Sequence, residues 1–236
     1  GYGDLLGSHV AISSDGSIIA ATAKQHDGNG DLSGLMRIYK YSNSDMTTGG
    51  TWTQIGQDIV GIADERWGSL SCLMSKDGNK VIFSSWTNPG AHMRLYQYSN
   101  SDMTAGGTWE QLGDTYSESS DGIFFSCDSS ANTVSYTIPS HANDTSRSIS
   151  KILTYSSGTW TQKGQELNEG WSLLEGPKLS SDGNTILVGD GLDDSFTGKL
   201  KVYNYDSDNN LWVQKGNDIL GQNTSYWIRG MSISSD

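Results

Sequence analysis

The chain has 236 residues, with 15 Lys and Arg against 27 Asp and Glu, and a formal net charge of −12. This acid excess argues against a nucleic-acid binder, which needs a basic stripe to neutralise phosphates, and against binding to an anionic membrane. No apolar run approaches the ~18 residues of a membrane span, so we expect no membrane insertion. The length and the 34% of hydrophobic residues are ample for a globular core.

The chain is a tandem array of repeats. The segment YSNSDMTTGGTWTQIG at 41–56 returns as YSNSDMTAGGTWEQLG at 98–113, and shorter copies that share Trp-x-Gln-x-Gly follow at 155–164 and 208–216. A second marker, an alternating run that ends in Ser-x-Asp-Gly, stays in phase with the first at 9–16, 71–78 and 177–183. We place the repeats at 7–67, 68–123, 124–173 and 174–229, with the start of a further repeat at 230–236.

Each repeat predicts four short strands, a to d. In the first repeat they are His9–Ser13, Ser17–Thr22, Leu35–Tyr41 and Trp52–Ile59. The alternation in LMRIYKY is typical of a strand with one buried face, and Asp-Gly between strands a and b predicts a hairpin. Four strands at this period are typical of a β-propeller blade, and stacked blades bury each other's faces. The sequence predicts an all-β fold, a β-propeller or a propeller segment, with four full repeats.

The pattern GSxVAISxDGxxIA, followed by DGNGxxSG, RIYxY and WxQxGxDIxG, resembles propeller repeats of large surface or secreted proteins of marine microbes and protists. Those repeats are similar to the FG-GAP repeats of integrin α-subunits, and Trp67-Gly68 stands where that family has Phe-Gly. The resemblance implies part of a longer, seven-bladed propeller, and the alternative is a complete small ring. The calcium loop of that family is not carried over, because here a short Ser-Asp-Gly turn joins strands a and b.

The loop between strands b and c of the first repeat is a candidate calcium site. Asp27, Asn29 and Asp31 alternate as EF-hand ligands do. Leu32 stands where that loop needs Gly, and no glutamate closes it, so we favour a polar hairpin loop. We expect no other cofactor.

The junctions that precede strand a combine aromatic and charged residues, which makes them candidate ligand-binding positions. In a propeller these links converge on one face, where rings stack on sugars and acids bind hydroxyls. The alternative is that each Trp packs between blades. The candidates are Asp64, Glu65, Arg66, Trp67, Glu169, Trp171, Tyr226, Trp227 and Arg229.

Other recurring or paired residues indicate structure. The Trp of Trp-x-Gln-x-Gly is expected to pin strand d to strand c, while the Gln bonds to backbone. Cys72 and Cys127 both fall in strand a, where free buried thiols are favoured over a disulfide. Asn143 and Asn223 begin glycosylation acceptor motifs, which matter if a eukaryote secretes the chain.

No catalytic constellation stands out in the sequence. We therefore predict a non-enzymatic extracellular or cell-surface scaffold or adhesion module that binds protein or glycan through its loops, within a larger assembly. One alternative is a propeller glycan hydrolase or lyase that uses junction acids such as Asp64, Glu65 and Glu169. The other is an architectural spacer with no ligand.

Overall fold

The structure is a computed structural model. It describes residues 3–43, 48–65, 71–86, 90–118, 125–138, 148–168, 176–190, 198–221 and 231–234. In this part of the chain no helix is long and apolar enough to cross a membrane. The chain divides into two compact units, Gly1–Ser119 and Ser120–Asp236.

The first unit contains two antiparallel sheets, which we call blades 1 and 2. In both, the first four strands follow the chain order in the sheet, so each of them pairs with the next. Blade 1 consists of β1 (Leu6–Ile12), β2 (Ile18–Ala23), β3 (Leu35–Tyr41), β4 (Trp52–Gln54) and β5 (Ile59–Val60), and β5 also pairs with β3. Blade 2 consists of β6 (Ser71–Met74), β7 (Lys80–Trp86), β8 (Ala91–Tyr98) and β9 (Trp109–Glu118).

The second unit repeats this arrangement in blades 3 and 4. Blade 3 consists of β10 (Phe125–Cys127), β11 (Thr133–Ile138), β12 (Ile149–Ser156), β13 (Thr159–Gln162) and β14 (Leu167–Asn168). Blade 4 consists of β15 (Lys178–Leu179), β16 (Thr185–Asp190), β17 (Lys199–Asp206), β18 (Leu211–Gln214) and β19 (Ile219–Leu220). The predicted all-β fold of four-stranded antiparallel blades is confirmed. The assignment of the repeats to one propeller domain stays a prediction.

The outer strand is divided at the glycine of Trp-x-Gln-x-Gly in blades 1, 3 and 4. The sequence predicted one strand over Trp52–Ile59, but blade 1 divides it into β4 and β5 around Gly56, whose φ is +69°. In blade 2 the strand β9 continues through the same motif, with a register shift against β8. The glutamine supports this bulge, because Gln111 Nε2 donates to the carbonyl of Gly113 at 3.0 Å.

The repeated tryptophan joins one blade to the next. In the first unit, the Trp109 indole Nε1 of blade 2 donates to the carbonyl of Ile55 in blade 1 at 3.1 Å. The side chain of Gln57 donates to the Trp109 carbonyl at 2.7 Å and accepts from the Trp109 backbone N–H at 3.0 Å. The ring also contacts Tyr98 on the neighbouring strand, with 5.0 Å between centroids. The predicted contact between strands c and d is therefore present, and a larger contact between blades is added to it.

The same three hydrogen bonds recur in the second unit. Trp212 Nε1 donates to the carbonyl of Lys163 at 2.7 Å. Gln165 donates to the Trp212 carbonyl at 2.8 Å and accepts from its backbone N–H at 2.7 Å. We call this arrangement the tryptophan staple. The indole of a Trp in one blade donates to the carbonyl that precedes the bulge glycine of the preceding blade. An amide side chain of that preceding blade bonds to both the backbone N–H and the carbonyl of the Trp.

Cys72 and Cys127 are present as thiols and are not joined in a disulfide. Cys72 lies in the core between blades 1 and 2, and its Sγ is 3.7 Å from Met36 Sδ. Burial raises the pKa of the Cys127 thiol to about 12, with a smaller contribution from the nearby charge of Asp128. A thiol with so high a pKa is a poor nucleophile at neutral pH, so we assign Cys127 a packing role.

Acid pH is expected to weaken blade 1 through its Arg37–Asp58 pair. Arg37 Nε and Nη2 donate to the two carboxylate oxygens of Asp58 at 2.9 and 2.8 Å. These bonds, with a further one from Gln54, hold the pKa of Asp58 below its usual 3.8. Because the pKa of Asp58 is lower in the folded than in the unfolded protein, the ion pair contributes its full stabilisation above about pH 4. This stabilisation is lost as the pH falls through the lowered pKa of Asp58.

The measurement is urea unfolding of the wild type and of Asp58→Asn as the pH is lowered from about 6 to about 2. The wild type should lose more stability than the variant over the acid part of this range. Parallel pH profiles for the two proteins would contradict the role given to Asp58.

Candidate functional site

Two segments of blade 1 meet at one end of its sheet. They are the loop between β2 and β3, residues 24–34, and the segment that follows β5, residues 61–65. Asn29 Nδ2 donates to the carbonyl of Gly61 at 3.0 Å, and the backbone N–H of Asp64 donates to the carbonyl of Asp31 at 2.8 Å. We call these two segments together with Asp4 the loop edge of blade 1.

The loop edge holds a histidine paired with a carboxylate. His26 Nδ1 lies 3.0 Å from Asp4 Oδ2, and the two side chains are 21% and 22% exposed. The backbone supports the pair, because the N–H of Gln25 donates to the carbonyl of Asp4 at 3.2 Å. The N–H of Gly34 donates to the carbonyl of His26 at 2.9 Å, which holds the backbone of His26 in the loop.

This pair has the parts of a general base. An aspartate that accepts from Nδ1–H holds the imidazole in one tautomer and leaves a lone pair on Nε2. The same carboxylate stabilises the imidazolium that forms when Nε2 takes a proton. In His26 the Nε2 atom lies against Gly28, where an added Cβ would clash with it. The glycine therefore leaves the space that this orientation of the ring requires.

A buried ion pair anchors the segment 61–65. Arg94 Nη2 of blade 2 lies 3.3 Å from Glu65 Oε1, with the side chains 17% and 9% exposed. Glu65 Oε2 also accepts from the Ile62 N–H at 3.2 Å. Arg94 Nε donates to Thr115 Oγ1 at 2.9 Å. Because the segment is bonded to the loop of His26, this pair positions the loop edge.

The ion pair formed by the cation of the third strand is arranged differently in blade 2. In blade 1 the cation of the third strand pairs inside its own blade, as Arg37 does with Asp58, and Lys151 and Glu166 repeat this in blade 3 at 3.4 Å. Blade 2 has Thr115 at the position of the acid, so Arg94 reaches the junction instead.

Glu65→Ala is expected to lower the unfolding free energy of the first unit by about 2–3 kcal/mol, because it leaves Arg94 buried without its carboxylate. The matched control is Asp58→Ala. That pair is 35% and 31% exposed, so its loss should cost about 1 kcal/mol or less. Urea unfolding measures both changes, and equal losses would contradict the positioning role of Glu65.

The predicted site residues have mixed outcomes. Asp64 is exposed, with φ at +65°, whereas Glu65 is buried in its ion pair. Whether either residue binds a ligand stays a prediction. The others lie outside the described residues, as do the two glycosylation acceptors; they are Arg66, Trp67, Glu169, Trp171, Tyr226, Trp227, Arg229, Asn143 and Asn223.

The candidate calcium residues are used within their own loop. Asp27 Oδ1 accepts from the Leu32 N–H at 2.8 Å, and Asn29 and Asp31 bond the junction as described above. Among the described residues, no group of three or more His, Cys, Asp or Glu is placed to hold a metal ion. Calcium binding by this loop stays a prediction.

Sequence patterns did not predict the pair of Asp4 and His26, which are far apart in the chain. The signal for it was the Asp-Gly hairpin. The turn pairs Ile12 with Ile19 and Val10 with Ala21, and a register shift between Leu6 and Val10 then places Leu6 opposite Ala23. The hairpin therefore indicates only that the segment of Asp4 runs back beside the end of β2, and the contact between the two side chains was not predicted.

Comparisons with known proteins were made on sequence and on fold. No protein-family model matches the chain, and no curated protein matches it. A Bacteroides uniformis protein provisionally named a 6-phosphogluconolactonase matches with a TM-score of 0.54 and 17% identity, over 90% of this chain and 54% of that one. A Lactobacillus plantarum protein matches with a TM-score of 0.55 and 14% identity, over 93% and 57% of the two chains. The periplasmic gluconolactonase PpgL of Pseudomonas aeruginosa has a TM-score of 0.39 and 11% identity, over 88% and 70%.

These likenesses establish the fold. The neighbours are of the β-propeller kind, so the propeller part of the predicted resemblance is confirmed, and its FG-GAP part finds no support. The chain spans a little over half the length of the first two solved structures, 54% and 57%.

The comparisons also correct the functional prediction. A non-enzymatic adhesion scaffold is contradicted, because a structure that shares the fold is named as a lactonase, which is an enzyme. The glycan hydrolase or lyase and the architectural spacer are no better matched. At 17% identity the likeness carries no reaction with it, so the chemistry has to be argued from the residues of this chain.

Proposed function

We propose that this chain belongs to a hydrolase that opens lactones, with His26 as its general base. The observation that carries the proposal is the Asp4–His26 pair at the loop edge of blade 1, with 3.0 Å between Oδ2 and Nδ1. Both side chains are about one-fifth exposed, and the carboxylate lies beside Nδ1 of the ring. The name of the Bacteroides uniformis structure supports the same class of reaction.

The reaction needs one base and no redox step. A water oxygen attacks the lactone carbonyl carbon while one proton of that water passes to His26 Nε2. The tetrahedral intermediate collapses by breaking the ring C–O bond. The leaving alkoxide takes the proton back from the imidazolium, which Asp4 has stabilised, and a hydroxy acid is released.

The charge of the loop edge favours a neutral lactone over a phosphorylated one. Asp27, Asp31 and Asp64 are all exposed there, and the whole chain has a net charge of −12. A phosphate group would approach this field against repulsion. We therefore propose an uncharged sugar lactone as the substrate class, which differs from the phosphorylated substrate in the name of the Bacteroides uniformis protein.

A location outside the cytoplasm is part of the same proposal. The fold neighbours are compatible with an exported protein of periplasmic type, and an extracellular location is the more specific prediction. The acidic composition suits a saline exterior. Binding to a protein or a glycan partner and a relation to FG-GAP repeats also stay predictions.

The test is a pH-stat assay of acid release. The purified chain is added to gluconolactone, and in a second series to its 6-phosphate, and each rate is corrected for spontaneous opening. We expect acceleration with the neutral lactone and a much smaller one with the phosphate. Opening of neither lactone above the spontaneous rate would contradict the proposed function, and equal acceleration of both would contradict the substrate class.

A further inference from the structure

The loop of His26 contains the single Asn-Gly step of the whole sequence, Asn29-Gly30. Both residues are exposed. A glycine after an asparagine leaves the side-chain amide open to attack by the next backbone nitrogen, because glycine has no Cβ to hinder the approach and adopts backbone conformations closed to other residues. Gly30 has such a conformation, with φ at +108°. The loop edge therefore contains an asparagine that is chemically disposed to lose its amide.

The nitrogen that would attack, the backbone N of Gly30, is loosely bonded. Its N–H donates to the carbonyl of Asp27 at 3.3 Å, which is longer than the usual N–H···O distance of about 2.7–3.2 Å. The N–H of Asn29 itself is bonded at the same length, 3.3 Å, to Ser33 Oγ. The backbone on both sides of the Asn29 carbonyl is therefore held weakly enough to move.

Asparagines in the hairpin turns of the other blades lack this arrangement. Each is followed by a residue with a side chain, and the next backbone N–H makes a shorter bond to a side-chain oxygen. The distances are 3.0, 3.0 and 2.9 Å for the residues that follow Asn79, Asn132 and Asn184. Asn184 is exposed, as Asn29 is, so solvent access alone does not distinguish them.

We propose that Asn29 is a deamidation site and that its conversion to aspartate loosens the loop edge. The Gly30 nitrogen loses its proton to a solvent base and bonds to Asn29 Cγ. The bond from Cγ to Nδ2 breaks, and Nδ2 leaves with an added proton as ammonia. Water then opens the resulting succinimide at one of its two C–N bonds, which gives aspartate or isoaspartate. One water is consumed and one ammonia is released, without a redox step.

The amide that would be lost is the one that joins the two segments of the loop edge. Asn29 Nδ2 donates to the carbonyl of Gly61 at 3.0 Å. A carboxylate is an acceptor only, so after deamidation two oxygens face each other. The remaining bonds between the segments are those from Asp64 N–H to the Asp31 carbonyl, at 2.8 Å, and from Gly61 N–H to the Gly34 carbonyl, at 3.3 Å. We therefore expect the segment 61–65 to separate more easily from the loop of His26.

The first test follows the modification by peptide mass mapping. The folded protein is kept in mildly alkaline buffer, beside a sample unfolded in urea. Asn29 should acquire the mass of the acid while Asn184 keeps that of the amide. Asn29→Gln is the matched control and should stay unmodified, because its longer side chain would have to close a six-membered ring. A folded protein that keeps the Asn29 amide while the unfolded chain loses it overturns the proposal, and so does equal conversion of Asn29 and Asn184.

The second test measures the consequence with Asn29→Asp, which reproduces one product. Hydrogen exchange at the Asp64 N–H should become about tenfold faster, because one bond between the segments is replaced by repulsion. Unchanged exchange at this amide would overturn the loosening of the loop edge. An effect of deamidation on lactone opening rests on the proposed function. A wild type that opens no lactone contradicts that function alone, because the mass and exchange measurements involve no lactone.

Discussion

Replacing His26 with alanine is expected to lower the rate of lactone opening by about 10²–10⁴-fold, which is the usual contribution of a positioned general base. The loss should fall on kcat, because the proton transfer occurs in the transition state. Asp4→Asn should also lower the rate, since an amide at 3.0 Å from Nδ1 no longer fixes the tautomer or stabilises the imidazolium. The measurement is the pH-stat rate with gluconolactone for each variant.

The matched control for His26→Ala is His92→Ala. His92 is the second residue of β8 in blade 2, and its Nδ1 lies 2.8 Å from the hydroxyl of Ser117. A hydroxyl does not supply the negative charge of Asp4, so this variant should keep the wild-type rate. If both histidine variants lose the activity equally, or if neither does, the general-base role of His26 is wrong.

Gly28→Ala offers a second approach to the same pair. It removes no functional group, but its Cβ would clash with His26 Nε2. We expect the imidazole to be displaced and the rate to fall while the unfolding free energy changes little, because Gly28 is exposed. An unchanged rate would mean that the orientation of the ring is not needed for the reaction.

Gly56→Ala is expected to lower the unfolding free energy of the first unit by about 2–5 kcal/mol. An L-residue at φ +69° costs about 1–2 kcal/mol in backbone strain. The added Cβ would lie 2.6 Å from Trp109 Cδ1, and overpacking of this kind costs about 1–3 kcal/mol more. Urea unfolding followed by tryptophan fluorescence reports the change directly.

Gly216→Ala separates the two costs. Gly216 has almost the same φ, +76°, but no described atom lies within 4 Å of its Cβ position. This variant should show the backbone cost alone, about 1–2 kcal/mol. Equal losses for Gly56→Ala and Gly216→Ala would mean that Trp109 yields to the added Cβ, and the tryptophan staple would then contribute little to stability.

Local sequence patterns predicted most of the fold. The alternation in LMRIYKY predicted the third strand of blade 1 as Leu35–Tyr41, and the structure has it with the same bounds. The Asp-Gly turn predicted the hairpin of β1 and β2, which the structure pairs antiparallel. Both signals are short in range, because alternation reports one buried face and the turn glycine takes a positive φ, +76° at Gly16.

These patterns did not predict which groups the individual side chains contact. Trp-x-Gln-x-Gly was visible as a repeat, but the carbonyl that Trp109 bonds belongs to Ile55 in another blade. The sequence predicted that Glu65 binds a ligand. In the structure Glu65 is buried against Arg94, which is available because blade 2 has Thr115 where the other blades have an acid.

The sequence by itself determined the repeats, the all-β class and the strands, because periodicity and turn chemistry act within a few residues. Only the tertiary structure decided which groups meet. Asp4 and His26 come together because the hairpin of β1 and β2, with its register shift between Leu6 and Val10, brings the start of β1 beside the end of β2. Trp109 and Gly56 meet because blade 2 packs against blade 1, and no spacing along the chain encodes that contact.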